Sequence, residues 1–187
     1  MSNRNTVVRA LHDVGAAAWF GGTLMGAVGL NGAAGAVEQK DDRARVASVG
    51  WARWAPVNAA AIGAHVIGGL GLLLANRERA AHQDGTRGNT VAKSVLTVAG
   101  VGLTAYSGVL GAQVGKAGKV PAEGAVVPSD HTPTDVAEAM KRLRIVQYAI
   151  PAVAGLIIVL GAQQGEQQKP EEQRKGLSGL RRLKARD

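Results

Sequence analysis

Cysteine is absent, which excludes disulfides, thiolate metal ligands and cysteine nucleophiles. Phenylalanine occurs once and aromatics reach only 3%, too few for the bulky interior that a water-soluble domain of 187 residues ordinarily builds. Catalytic signatures are missing too: there is no Walker loop, nucleophile elbow or HExxH, and no paired acids inside an apolar run. No catalytic residue can be assigned on this basis, and any enzymatic chemistry would have to reside at His65. Charge is present but segregated. Five charged blocks alternate with four long stretches that hold no Asp, Glu, Lys or Arg.

Those four stretches carry the fold expectation. They run over 14–37, 55–75, 94–115 and 145–165, and the second contains a single ionisable residue, His65. A helix rises about 1.5 Å per residue, so about 20 residues cross a hydrocarbon core of roughly 30 Å. Strand alternation is absent, and lipid requires a backbone satisfied within its own segment. The expected fold class is all-α, a four-span transmembrane helix bundle over 1–165 followed by a basic cytoplasmic tail, 166–187. The mean hydropathy of +0.02 averages these two populations. A soluble four-helix bundle is the competing reading, but its helices would each need a charged face.

The flanks extend this reading. Trp51 and Trp54 stand where an interfacial aromatic belt would precede the second span, and Tyr148 stands near the start of the fourth. Pro56 fits the first turn of a helix beginning at the second span. Thr132, Pro133 and Asp135 read as a helix start outside the lipid, with Pro151 predicting a kink within it. Lys and Arg number 13 on the side of the termini and nine on the other, which places both termini in the cytoplasm and the protein in the inner membrane. A rival reading takes Arg4 and Arg9 as the start of a signal peptide cleaved at Ala34-Gly35-Ala36.

Small residues at four-residue spacing form the clearest pattern. Gly100, Thr104, Gly108 and Ala112 share a face of the third span; Ala18, Gly22 and Gly26 do so on the first, and Ala60, Ala64 and Gly68 on the second. Such faces let helices approach closely, within a bundle or between subunits. His65 lies near the centre of its span, where an ionisable group is expensive. It could hold haem or copper or relay protons, or bond as a neutral ring to a neighbouring helix through Tyr106 or Thr104. Pairing it with His12 around a haem is not expected, because the span boundaries place the two roughly 15 Å apart in depth. His12 and Asp13 read as an interfacial pair, and His82 and His131 as loop residues.

Asn31, Asn58, Gln113 and Gln147 fall near the outer ends of their spans. They could form a polar outer ring lining a vestibule, or simply face headgroups. The tail spaces Leu177, Leu180 and Leu183 among Arg181, Arg182, Lys184 and Arg186, which suits anionic lipids of the inner leaflet. Nucleic acid is not an expected partner, since the pI of about 10.3 comes without an aromatic platform or a nucleic-acid-binding motif.

In its Ala/Gly/Val/Arg-rich style the chain resembles small multi-pass membrane proteins of actinobacteria. The phrase His12 to Gly22, ending WFGG, resembles the opening helix of CopD-like copper-resistance and related four-helix membrane families. That resemblance implies copper handling, for which the spans offer Met25 and His65. The function expected from the residues is a structural or accessory subunit of a membrane complex or homo-oligomer, with no required cofactor. The alternatives are a haem- or metal-binding redox protein using His65, and a small-solute channel or transporter.

Overall fold

Among the described residues three helices are long and apolar enough to cross a membrane, spanning Lys40–Ala75, Gly88–Lys116 and Thr134–Gln163. The computed structural model describes the backbone over residues 6–80 and 84–167, and side chains over 6–75 and 88–163. The fold is all-α, a bundle of four antiparallel rods. The first rod joins α1 (Thr6–Met25), a π-helical turn (Gly26–Leu30) and α2 (Asn31–Gly35). Then come α3 (Lys40–Ala80), α4 (Asp84–Lys116) and α5 (Thr134–Gln167). Between α4 and α5 lies a small hairpin, in which β1 (Ala122–Gly124) pairs antiparallel with β2 (Val127–Pro128). Residues from 168 onward, including the Leu/Arg segment of the tail, lie outside the described residues, as does His82.

The first rod differs from the other three. It is helical throughout its 30 residues, but α1 carries Arg9, His12 and Asp13, and the regular helix gives way to the π turn at Gly26. It is not among the helices apolar enough to cross a membrane by length and composition. The π turn falls where Gly26 and Gly29 weaken the helical preference, and it inserts one extra residue per turn. The insertion changes the face on which Asn31 emerges.

Glycine sets the closest helix contact. A Cβ on Gly15 would lie 2.5 Å from the Ala61 carbonyl oxygen and from the His65 nitrogen, and one on Gly68 would lie 2.4 Å from the His12 nitrogen. The α1 and α3 backbones therefore touch directly. Further along the same seam the indole of Trp54 lies over Gly22 and that of Trp51 over Gly26. These two tryptophans pack into the bundle rather than forming the expected interfacial belt. Glycine leaves a hollow there, and a planar ring fills it. On the other flank Trp19, fully buried, lies against Gly100 and forms a core with Val146, Ile150, Ala154 and Ile157.

Two further expectations are corrected. Pro56 does not open a helix but sits inside α3, which starts at Lys40. The missing N–H leaves the carbonyl of exposed Ala52 without its helical donor, at a position where water or headgroups can supply one. Thr132 does not cap α5. Its hydroxyl donates to the Pro121 carbonyl and accepts from the Ser129 N–H at 2.8 Å, so it ties the loop to itself. The expected helix start nevertheless stands: α5 begins at Thr134, and the Ala137 N–H reaches the Pro133 carbonyl at 2.8 Å.

The loop between α4 and α5 is a built lid. Gly118 turns the chain out of α4 at φ +69°, a conformation that glycine adopts without strain. Val120, Ala122 and Val126 then pack on Ala44, Val114, Met140 and Leu143 to form a core at that end of the bundle. Lys40 holds Glu123 at 2.7 Å, Arg43 donates to the Glu123 carbonyl at 2.9 Å, and Asp42 pairs with Arg45 and Lys119.

Two outcomes test these contacts. Gly15→Ala should destabilise the protein by about 1–3 kcal/mol, because the new methyl forces two backbones apart. Gly108→Ala should not destabilise it, since nothing lies within 4 Å of its would-be Cβ; thermal unfolding in detergent compares the two. The ammonium of Lys40 lowers the Glu123 carboxyl from its usual 4.5. A depressed carboxylate stabilises the fold above its unfolded pKa, and that contribution is lost as pH falls through the lower folded value. Proteolysis of the lid should therefore rise below about pH 4.5, and Glu123→Gln should raise it at neutral pH and flatten its pH dependence.

Candidate functional site

His12 and His65 stack on each other inside the α1–α3 seam. Their ring centroids are 4.2 Å apart and their planes 23° from parallel. Each ring reaches across to the other residue's backbone: His12 Nδ1 donates to the His65 carbonyl at 3.0 Å and His65 Nδ1 donates to the His12 carbonyl at 3.1 Å. A carbonyl can only accept, so both Nδ1 atoms carry the proton. This leaves His65 Nε2 as an acceptor, and the hydroxyl of Thr97 on α4 stands 3.3 Å from it. His65 is 2% exposed. Trp19 closes the far side with its ring centroid 6.1 Å away.

The expected depth difference between the two histidines is overturned. It arose from placing the first span at 14–37 and the second at 55–75. The rods are instead a hairpin closed by a tight turn, with His12 lying 24 residues before Ala36 and His65 lying 25 residues after Lys40. Equal arms bring them level. The geometry also leaves no room for a haem between them, since the stacked rings are in contact face to face.

The four amides do not form one ring. Asn31 Nδ2 donates to Gln147 Oε1 at 2.8 Å, and Trp51 Nε1 donates to Asn31 Oδ1 at 2.9 Å. This relay ties the first rod to α3 and α5. Gln113 lies elsewhere, exposed, donating to the Asp135 carbonyl at 3.4 Å. Asn58 is buried deeper along α3, and its Oδ1 has no hydrogen-bond partner among the described residues; the same holds for Trp19 Nε1 and Trp54 Nε1. The error was in the span ends: α3 extends well beyond residue 55, so Asn58 sits far below the level of Asn31.

The small-residue faces divide similarly. Gly22 and Gly26 receive tryptophan rings and Gly100 receives Trp19. Thr104 turns its hydroxyl back to the Gly100 carbonyl at 2.9 Å. Gly108 and Ala112 are exposed, on the outside of the bundle. The partner of His65 on α4 is Thr97, not the expected Tyr106 or Thr104, and sequence reasoning also missed Gly15 and Trp19 as members of the histidine site. Gly15 alone carried a usable signal, because it lies one turn after His12. Among the described residues no group of three or more His, Asp or Glu side chains is placed to hold a metal ion.

A double-mutant cycle tests the pair. His12→Ala and His65→Ala should be non-additive in unfolding free energy, with a coupling of about 0.5–3 kcal/mol, as for residues in direct contact. Additive losses would mean that the rings do not meet.

Comparison with known protein families, with characterised proteins and with solved structures finds no match to this chain.

Proposed function

We propose that the protein is a membrane-embedded helix bundle with a structural role, an accessory subunit that joins other membrane chains or copies of itself. The observation that carries this reading is an inside-out distribution of residues. Large aliphatic side chains point outward from every rod, among them Val14, Ile67, Leu74, Val98, Val109 and Val159, each more than 60% exposed. The polar bonds of His12, His65, Asn31 and Gln147 point inward. In water such a surface would aggregate, whereas in lipid it is the solvated one.

On this reading the first rod crosses with the others and makes a fourth span, because α1 runs along α3 from Gly68 to Trp51. Both termini then share one side, and the excess of Lys and Arg there supports a cytoplasmic side for them, at an inner membrane. His65 serves packing. Its Nδ1 is committed to His12 and its Nε2 faces Thr97, so a metal or haem would have to break one of these bonds to gain a ligand. The dispersed amides likewise give a solute no continuous polar path. Gly108 supports the assembly role: its small size meets no demand inside the bundle, so a partner helix outside can use it.

The test combines three readouts on protein extracted from its native membrane in mild detergent. The expected result is a species larger than one chain, without a visible absorption band or stoichiometric metal, that dissociates in Gly108→Leu while its helicity is unchanged. A single free chain would overturn the assembly role. A Soret band or bound copper lost in His65→Ala would replace it with redox or metal chemistry.

A further inference from the structure

We infer that the groove between the hairpin and α5 is a binding site for the headgroup of an anionic phospholipid. This rests on the membrane reading above. The groove has a volume of about 620 Å³ and lies between Val127 and Pro128 of the hairpin and Lys141, Arg144, Ile145 and Tyr148 of α5. These four α5 residues share one helix face, Lys141 standing three and four positions from Arg144 and Ile145, and Tyr148 four and three positions from the same two.

Charge selects the ligand. Lys141 and Arg144 are both exposed and make no hydrogen bond or ion pair among the described residues. Their neighbour Arg142 is neutralised by Glu138 at 3.5 Å. At the same end of the bundle Lys40, Arg45 and Lys119 are each matched to a carboxylate. The groove therefore keeps two cations without a carboxylate partner beside Arg142, which has one. A phosphodiester is the complementary group, with Arg144 able to grip two of its oxygens and Lys141 acting as a point charge.

Depth selects a lipid as the source of that phosphodiester. Behind the two cations, Met140, Leu143 and Val126, the last also lining the groove, belong to the sealed core under the lid. Below them α5 turns apolar, beginning with Ile145, which is 71% exposed, and half-exposed Tyr148. The cations thus stand at the level where the apolar surface starts. A headgroup seated on them would lay its acyl chain along Ile145, with the tyrosine at the boundary that this residue favours. A soluble phosphate compound would leave the Ile145 side of the groove unused.

Native mass spectrometry of the full chain in detergent, titrated with phosphatidylglycerol or phosphatidylcholine, tests the site. The wild type should prefer phosphatidylglycerol. The double variant Lys141→Gln, Arg144→Gln should lose roughly 30-fold in that affinity, on about 1 kcal/mol per basic residue near a headgroup. Arg142→Gln should bind as the wild type does, and the charge-preserving pair Lys141→Arg, Arg144→Lys should retain binding. Equal affinity for the two lipids, or an unaffected double variant, would overturn the site, as would competitive displacement of the lipid by inorganic phosphate. Carbonate extraction of the wild type from phosphatidylcholine vesicles separates the two ideas. Protein that stays in the bilayer but shows no lipid preference refutes only this site, whereas protein that washes off refutes the membrane reading itself.

Discussion

The direct backbone contact between α1 and α3 is the constraint on which the rest of the bundle depends. Gly15 and Gly68 remove the two side chains that would hold the rods at ordinary spacing. At that separation an imidazole on each helix can reach a carbonyl on the other. Those carbonyls already belong to helices, and the ring N–H takes the second lone pair. The bond pair locks rotation and sliding together, since a shift of either rod by one residue breaks both. With α1 and α3 in register, Trp54 and Trp51 fall on Gly22 and Gly26, and Trp19 is aimed at α4 and α5. An apolar interface alone would not fix this register in lipid, where tails compete equally for aliphatic surface.

The two ends of the bundle are held by different means. Near the histidines the contacts are close packing and buried hydrogen bonds. At the lid they are aliphatic packing plus exposed ion pairs, of which Lys40–Glu123 and Asp42–Lys119 bridge distant parts of the chain. Exposed pairs of this kind contribute little individually. Their use here is geometric: they hold the hairpin over Ala44, Val114 and Met140, which would otherwise meet water. The Trp51–Asn31–Gln147 relay lies between these regimes and fastens the post-π segment to α3 and α5.

The helical class and the continuous entry of α5 into its apolar stretch were legible in the sequence, because both follow from uncharged length and from the Thr132-Pro133 start. The depth of individual residues was not. Reading each helix as ending where charge begins truncated α3 at Ala55, although the helix starts at Lys40, with Asp41 and Arg45 exposed and Asp42 paired to Arg45 and Lys119. That one choice misplaced Asn58 in a ring, took Pro56 for a helix start and separated His12 from His65. Counting outward from the short turn between Ala36 and Lys40 would have aligned the histidines, since antiparallel arms of equal length must meet. The hairpin lid was opaque for another reason: its strands are two and three residues long, and its stability comes from packing against distant helices.

The turn at 36–39 also bears on how the chain is made. Because α1 and α3 are joined by so short a link and bond each other through His12 and His65, these contacts need neither α4 nor α5 in order to form. Trp19 then waits with one face uncovered until Gly100 and Val153 arrive with the second hairpin. Local closure of this kind would let the α1–α3 pair serve as a template on which α4 and α5 dock.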